Sequence, residues 1–280
     1  MITVLFKISL AIFIAGNLLE MGLKLNPQQA LLGLKNIHFV AHTLFWGFVV
    51  GPALAYAITL VIPLEHPYAI GLILLGMTPG APFLPMFIDK VKGDLGYTAA
   101  FMLIVSVGTV IFMPFAVPLM IKGLTVTTWA IAKPLVIIIL IPLSMGMLIL
   151  HFFETLAVKI QKVVKNIVFV ITFVVCVLGI LIYWKGIISV AGSYALAAQI
   201  ILFLILTTFT YWFGFGLKHE QKMVMSIGMS TRNMGAALAP LLSIEEIDQR
   251  SVIMVVLVMP IMVLFGWLSI KWFGHMSKDT

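Results

Sequence analysis

The sequence predicts an all-α integral membrane protein of nine transmembrane helices. They form an inverted five-span repeat that lacks its first helix, with two broken helices crossing near mid-membrane. Three observations predict this. The 280-residue chain is 62% hydrophobic and only 10% charged, with a mean hydropathy of +1.18, whereas soluble domains carry roughly a quarter charged residues. Apolar windows of about 20 residues, the length that crosses a bilayer core, recur nine times along the chain. Two of these windows, the third and the eighth, are interrupted by proline, glycine and polar residues.

The windows run roughly over 2–23, 37–63, 68–88, 97–120, 127–151, 166–184, 187–216, 223–242 and 251–273. The chain reads as a single transmembrane domain over 1–280, and its longest connection, 152–165, is basic. The amino terminus has no polar, cleavable flank with an A-x-A site and reads as a true first span. Lys24, Lys35, Lys90, Lys92, Lys159, Lys162, Lys165, Lys218, Lys222, Lys271 and Lys278 fall in alternate connections. The opposite connections hold Lys122, Lys185 and Arg250 beside Glu245, Glu246 and Asp248. Positively charged connections stay in the cytoplasm, so the amino terminus is expected outside and the carboxyl terminus inside.

The interruptions carry the chemistry. In the third span, Pro79, Pro82 and Pro85 stand three apart around Thr78 and Gly80. Each proline lacks an N–H and excludes the carbonyl four residues back. This frees the carbonyls of Leu75, Thr78 and Ala81, which in lipid require a donor, a water or a cation. In the eighth span, Ser226, Gly228, Ser230, Thr231, Arg232, Asn233 and Gly235 lie within an apolar run. An arginine at mid-membrane depth costs roughly 2.5–3.5 kcal/mol on insertion scales, so it faces a cavity or a partner. The two broken spans are five apart, and a repeat of odd length places its copies upside down, as in many secondary transporters. Pro52, Pro114, Pro118 and Pro260 flex the neighbouring helices, and Gly47 and Gly51 have a close-packing spacing.

Thr78, Pro79, Gly80, Pro82, Ser230, Thr231, Arg232 and Asn233 are therefore the candidate substrate-binding residues. Arg232 reads as an anion clamp or fixed positive charge, or alternatively as a structural pair with a buried carbonyl or carboxylate. Glu20 reads as a proton or cation site, as a partner of Arg232, or as an interfacial residue near Lys24. His38, His42 and His151 lack metal-ligand spacing, and neither a metal nor a cofactor is expected. The isolated basic residues argue against nucleic-acid binding. The single Cys176 allows no intrachain disulfide, and no glycine-lysine phosphate loop is present. No paired acids or Ser/His pair lie at helical spacing, which argues against an intramembrane enzyme; a channel remains an alternative.

These residues resemble the bile acid:sodium symporter family. The run Glu20-Met21-Gly22-Leu23-Lys24-Leu25 is similar to its F-x-M-G-L-x-L segment. Thr78-Pro79-Gly80-Ala81 resembles its C-P-G-G break, and Thr231-Arg232-Asn233-Met234-Gly235 its Q-N-x-G break. The resemblance extends from Glu20 to about Met120 and resumes around span eight, with spans five to seven matching in hydropathy only. It implies a panel (about 2–23 and 127–184) and a core (about 37–120 and 187–273). It also implies organic anion substrates, usually carboxylates or sulfonates, often driven by two sodium ions.

The chain departs from that pattern at the sodium ligands. The family's glutamate falls on Gly228, the glutamine of its Q-N pair on Arg232, and its span-two glutamine on Gly47. Its span-four ligands fall on Thr98 and Met102, and Leu84-Pro85 replaces its Ser-Asn. Glu20, Thr98 and Asn233 remain as candidate ion ligands beside the freed carbonyls, for Na+ or H+ as coupling ion. The expected function is a secondary transporter of small organic anions in the cell or inner membrane, working by alternating access without two-sodium coupling. The alternative within transport is a sodium symporter that uses backbone oxygens.

Overall fold

A computed structural model describes residues 2–25, 27–121, 127–190, 192–242 and 248–276. Lys122, Glu245, Glu246 and Lys278 of the loop-charge pattern lie outside the described residues. The helices are α1 (Ile2–Lys24), α2 (Pro27–Leu34), α3 (Ile37–Phe45), α4 (Gly51–Val61), α5 (His66–Gly76), α6 (Leu84–Lys90) and α7 (Leu95–Met120). They continue as α8 (Thr128–Leu135), α9 (Ile141–Phe152), α10 (Glu154–Ser189), α11 (Ala195–Trp212), α12 (His219–Met229), α13 (Met234–Leu242), α14 (Gln249–Val256) and α15 (Val258–Met276). Among the described residues no strand occurs, only one isolated bridge between Pro79 and Arg232.

Among the described residues, seven helical stretches are long and apolar enough to cross a bilayer: Val4–Lys24, Ile37–Val61, Leu95–Met120, Thr128–Phe152, Glu154–Trp184, Ala195–Trp212 and Gln249–Gly274. They coincide with seven of the predicted windows. The third and eighth windows are instead split, as α5/α6 and α12/α13. An eleven-residue helix such as α5 rises only about 16 Å, half a bilayer core. Each split pair is therefore two half-length helices around a break.

Two spans carry a π-helical turn directly ahead of a proline. Trp46–Val50 joins α3 to α4 before Pro52, and Val136–Leu140 joins α8 to α9 before Pro142. A π turn re-routes the carbonyls that a ring nitrogen cannot serve, so the helix continues.

The connection 152–165 differs from expectation. It is not a loop, because α10 starts at Glu154 and runs unbroken to Ser189. Residues 154–165 contain no glycine or proline and are mostly good helix formers, so nothing stops the helix. At 36 residues it is about 54 Å long, well beyond the roughly 30 Å thickness of a bilayer core. The next span is shorter than its window, since Gly192 (φ 96°) and Tyr194 (φ 60°) interrupt the backbone before α11.

Packing is close where glycines face one another. α1 lies against α9 and α10; a Cβ on Gly22 would stand 3.0 Å from the Gly146 Cα. α5 packs between α4 and α14, and a Cβ on Gly76 would meet the Gly51 carbonyl at 2.9 Å. At one end of α14, Arg250 bridges Asp248 and Glu65, and its hydrogen bonds hold the Asp248 carboxyl below its ordinary range.

Candidate functional site

Each break is built from residues that cannot or do not continue a helix. α5 ends at Gly76, where the Thr78 hydroxyl donates back to the carbonyls of Leu74 and Leu75, both at 3.3 Å. Gly80 follows with φ 79°, a left-handed conformation that glycine adopts without steric cost. α12 ends at Met229, and there Ser230 Oγ donates to the Ile227 carbonyl and Thr231 Oγ1 to the Gly228 carbonyl, each at 2.9 Å. α13 restarts behind Asn233, whose Oδ1 accepts from the Ala236 N–H at 3.1 Å and caps the helix.

The two breaks serve each other. Gly80 N–H donates to the Thr231 carbonyl at 2.9 Å, and Asn233 N–H donates to the Thr78 carbonyl at 2.9 Å. Together they form an antiparallel bridge centred on Pro79 and Arg232. Ala81 N–H adds a bond to Thr231 Oγ1 at 3.1 Å. The carbonyls freed by the prolines thus find donors. Leu75 accepts from Thr78 N–H at 3.2 Å, Thr78 from Asn233 N–H, and Ala81 from Leu84 N–H at 3.0 Å. Backbone pairing therefore meets the demand that bilayer burial places on these groups.

Arg232 projects from this bridge and is fully buried, at 0% exposure. Its backbone N–H points to Met262 Sδ at 2.9 Å, while among the described residues Nε, Nη1 and Nη2 have no hydrogen-bond partner. A Cβ on Gly51 would stand 3.8 Å from Nη1, an ordinary contact distance, so the guanidinium lies against α4 at Gly51. Arg232 also lines a cavity of about 20 Å³ with Asn17, Pro82, Asn233, Met259 and Met262, room for about one water. Phe13, Ile14 and Asn17 of α1 close one side of it.

The predicted residues are thus placed as follows. Pro82, Arg232 and Asn233 line the cavity. Thr78, Pro79, Gly80 and Thr231 build the bridge beside it, and Ser230 closes α12. Glu20 pairs with Lys24 of the same helix at 2.6 Å rather than with Arg232. Thr98 donates to the Asp94 carbonyl at 2.7 Å in the first turn of α7. Among the described residues no hydrogen bond or ion pair joins Glu20 or Thr98 to Asn233, and no group of three His, Cys, Asp or Glu could hold a metal.

Two positions that the family resemblance assigned to sodium ligands are closely packed, Gly228 more so than Gly47. A Cβ on Gly228 would collide with the ring of Phe101, and one on Gly47 would stand 3.1 Å from Pro79 Cγ. Sequence reasoning missed Asn17 and the thioethers of Met259 and Met262. The signal for Asn17 was the one amide side chain within the first span; methionine gives no such signal.

Comparison with known proteins matches residues 11–191 to the sodium bile acid symporter family. The match takes in spans five and six and ends ahead of the second break. The chain is also similar to a probable sodium/metabolite cotransporter, BASS3, chloroplastic, of Arabidopsis thaliana, with 20% identity over 270 residues. That alignment covers 94% of this chain and 62% of the relative's length. With well over half of its length matched by the family model, the chain belongs to the sodium bile acid symporter family.

Proposed function

We propose that this membrane transporter carries small organic anions, of the carboxylate or sulfonate class, by alternating access, and that Arg232 binds the anion. In this reading the chain crosses the membrane nine times, the two split helices counting as spans. The amino terminus is outside and the carboxyl terminus in the cytoplasm. A panel of 2–23 and 127–184 moves against a core of 37–120 and 187–273.

One observation carries the proposal. A fully buried guanidinium with no hydrogen-bond partner among the described residues sits at the crossing of two broken helices, beside a cavity that α1 lines. Such a charge is costly in a bilayer, and an anion with charge-assisted hydrogen bonds would offset that cost. The same fixed charge does the electrostatic work of a bound cation next to an anion. Sodium is then not required: a cation close to Arg232 would be repelled, and the backbone carbonyls freed by proline already have donors. Phe101 fills the space beside Gly228.

The test is uptake of labelled carboxylates and sulfonates into proteoliposomes with sodium replaced by choline. Uptake that persists, saturates and shows countertransport is expected. Strict sodium dependence would refute the sodium-free reading, and non-saturating flux would indicate a channel.

A further inference from the structure

A groove of about 260 Å³ lies between α11 and α15 and shares no lining residue with the cavity beside Arg232. Its floor is buried, with Ser226 of α12 and Phe265 of α15, while its rims at Leu204, Trp212, Leu268 and Trp272 are exposed. Both rims belong to helices long and apolar enough to cross a bilayer, so the groove opens onto lipid. The hydroxyls on its wall are already spent. Those of Thr207, Thr208 and Ser226 donate to the carbonyls of Phe203, Leu204 and Thr207 at 2.6, 2.7 and 2.6 Å. Hydrocarbon fills such a groove, because water finds no partners there and close packing leaves few voids.

One end of the groove is positively charged. Trp212 ends α11 and Trp272 stands in the last turns of α15, aromatic residues of the kind that mark a membrane–water interface. Lys218, Lys222 and Ser226 follow one another at a spacing of four, which places them on one face of α12. Ser226 is in the groove, and the lysines continue from its end. Lys222 packs its stem on Gly214, where a Cβ would stand 3.0 Å from the lysine Cγ. Lys271 adds a third charge on α15, its ammonium 3.8 Å from the centre of the Trp267 ring. Among the described residues no ion pair engages Lys218 or Lys222. We infer that the groove binds a phospholipid with an anionic headgroup, one acyl chain lying between α11 and α15 and the phosphate meeting Lys218 and Lys222. Charge complementarity selects this occupant. A zwitterionic lipid fills the groove equally well but brings its own cation to the lysines, and a soluble anion gains the lysines without the groove. The site is independent of the anion reading of Arg232.

Thermal stabilisation of the purified, delipidated full chain in detergent tests the inference. The probes are phosphatidylglycerol, phosphatidylcholine with the same acyl chains, and glycerol phosphate as a headgroup without chains. Phosphatidylglycerol is expected to act at about five- to thirtyfold lower concentration than phosphatidylcholine, and glycerol phosphate to have no effect. Lys218 is exposed and Lys222 half-buried, so Lys218→Gln with Lys222→Gln should leave the lipid-free melting temperature unchanged and abolish the preference. The same pair of changes on α10, Lys159→Gln with Lys162→Gln, should leave the preference in place. Thr208→Trp, or Leu268→Trp from the opposite rim, fills the groove and should weaken both lipids. A wild type without preference, a preference that survives loss of Lys218 and Lys222, or one lost with Lys159 and Lys162 overturns the assignment. So does stabilisation by glycerol phosphate, which would make this a site for a soluble anion, or undiminished lipid binding in both groove-filling variants.

Discussion

The backbone N–H of Asn233 donates to the carbonyl of Thr78 at 2.9 Å, across 155 residues of chain. With the return bond from Gly80 to Thr231 it joins the two helix breaks into one unit. The bridge makes the crossing geometrically definite, and it sets the guanidinium of Arg232 beside the cavity that α1 closes.

Gly80 is the least replaceable residue of that unit. Its φ of 79° excludes a side chain on conformational grounds, and an added Cβ would stand 2.7 Å from Val105 Cγ2 and 3.1 Å from Phe101 Cε1. Gly80→Ala is expected to cost roughly 1–3 kcal/mol. Thermal unfolding of the purified protein measures it, and a melting temperature equal to the wild type's would show that the backbone there is not left-handed.

Phe101 and Gly228 are coupled by shape. Gly228→Ala should destabilise the protein by about 1–3 kcal/mol through overpacking against the Phe101 ring. In a Phe101→Ala background the same substitution should cost much less. A double-mutant cycle on melting temperature reads the coupling directly. Additive effects would mean that the ring does not occupy the space beside Gly228.

Much of the fold was legible because hydropathy registers bilayer thickness directly. Proline spacing and the cost of a buried charge marked both breaks. The mutual service of the breaks was not legible. Gly80, Thr231, Thr78 and Asn233 pair through backbone groups, and every non-proline residue carries those. The unbroken α10 was missed because lysines were read as a connection, although nothing between Glu154 and Lys165 ends a helix. Glu20 was ambiguous because a partner four residues on, Lys24, and one elsewhere in the fold leave the same trace in sequence.

Topology is tested by labelling. In a Cys176→Ser background, a cysteine replacing Lys159 or Lys162 should react with an impermeant maleimide only from the cytoplasmic side. A cysteine replacing Tyr56 should sit nearer the opposite face, shielded from cytoplasmic reagent. Labelling of Lys159→Cys from outside would invert the orientation inferred from the loop charges.

On the proposed function, Arg232 serves the transported anion rather than the fold. The most direct measurement is carboxylate and sulfonate binding to wild type, Arg232→Gln and Arg232→Lys, with the melting temperature of each ligand-free protein taken in parallel. Removing an unpartnered buried charge should leave the ligand-free protein at least as stable. Anion affinity should fall roughly 10- to 100-fold in the glutamine variant. Lysine should restore only part of it, because it lacks the planar fork that grips a carboxylate. A glutamine variant that melts at a lower temperature and binds anions as tightly as the wild type would contradict the account and make Arg232 a structural residue.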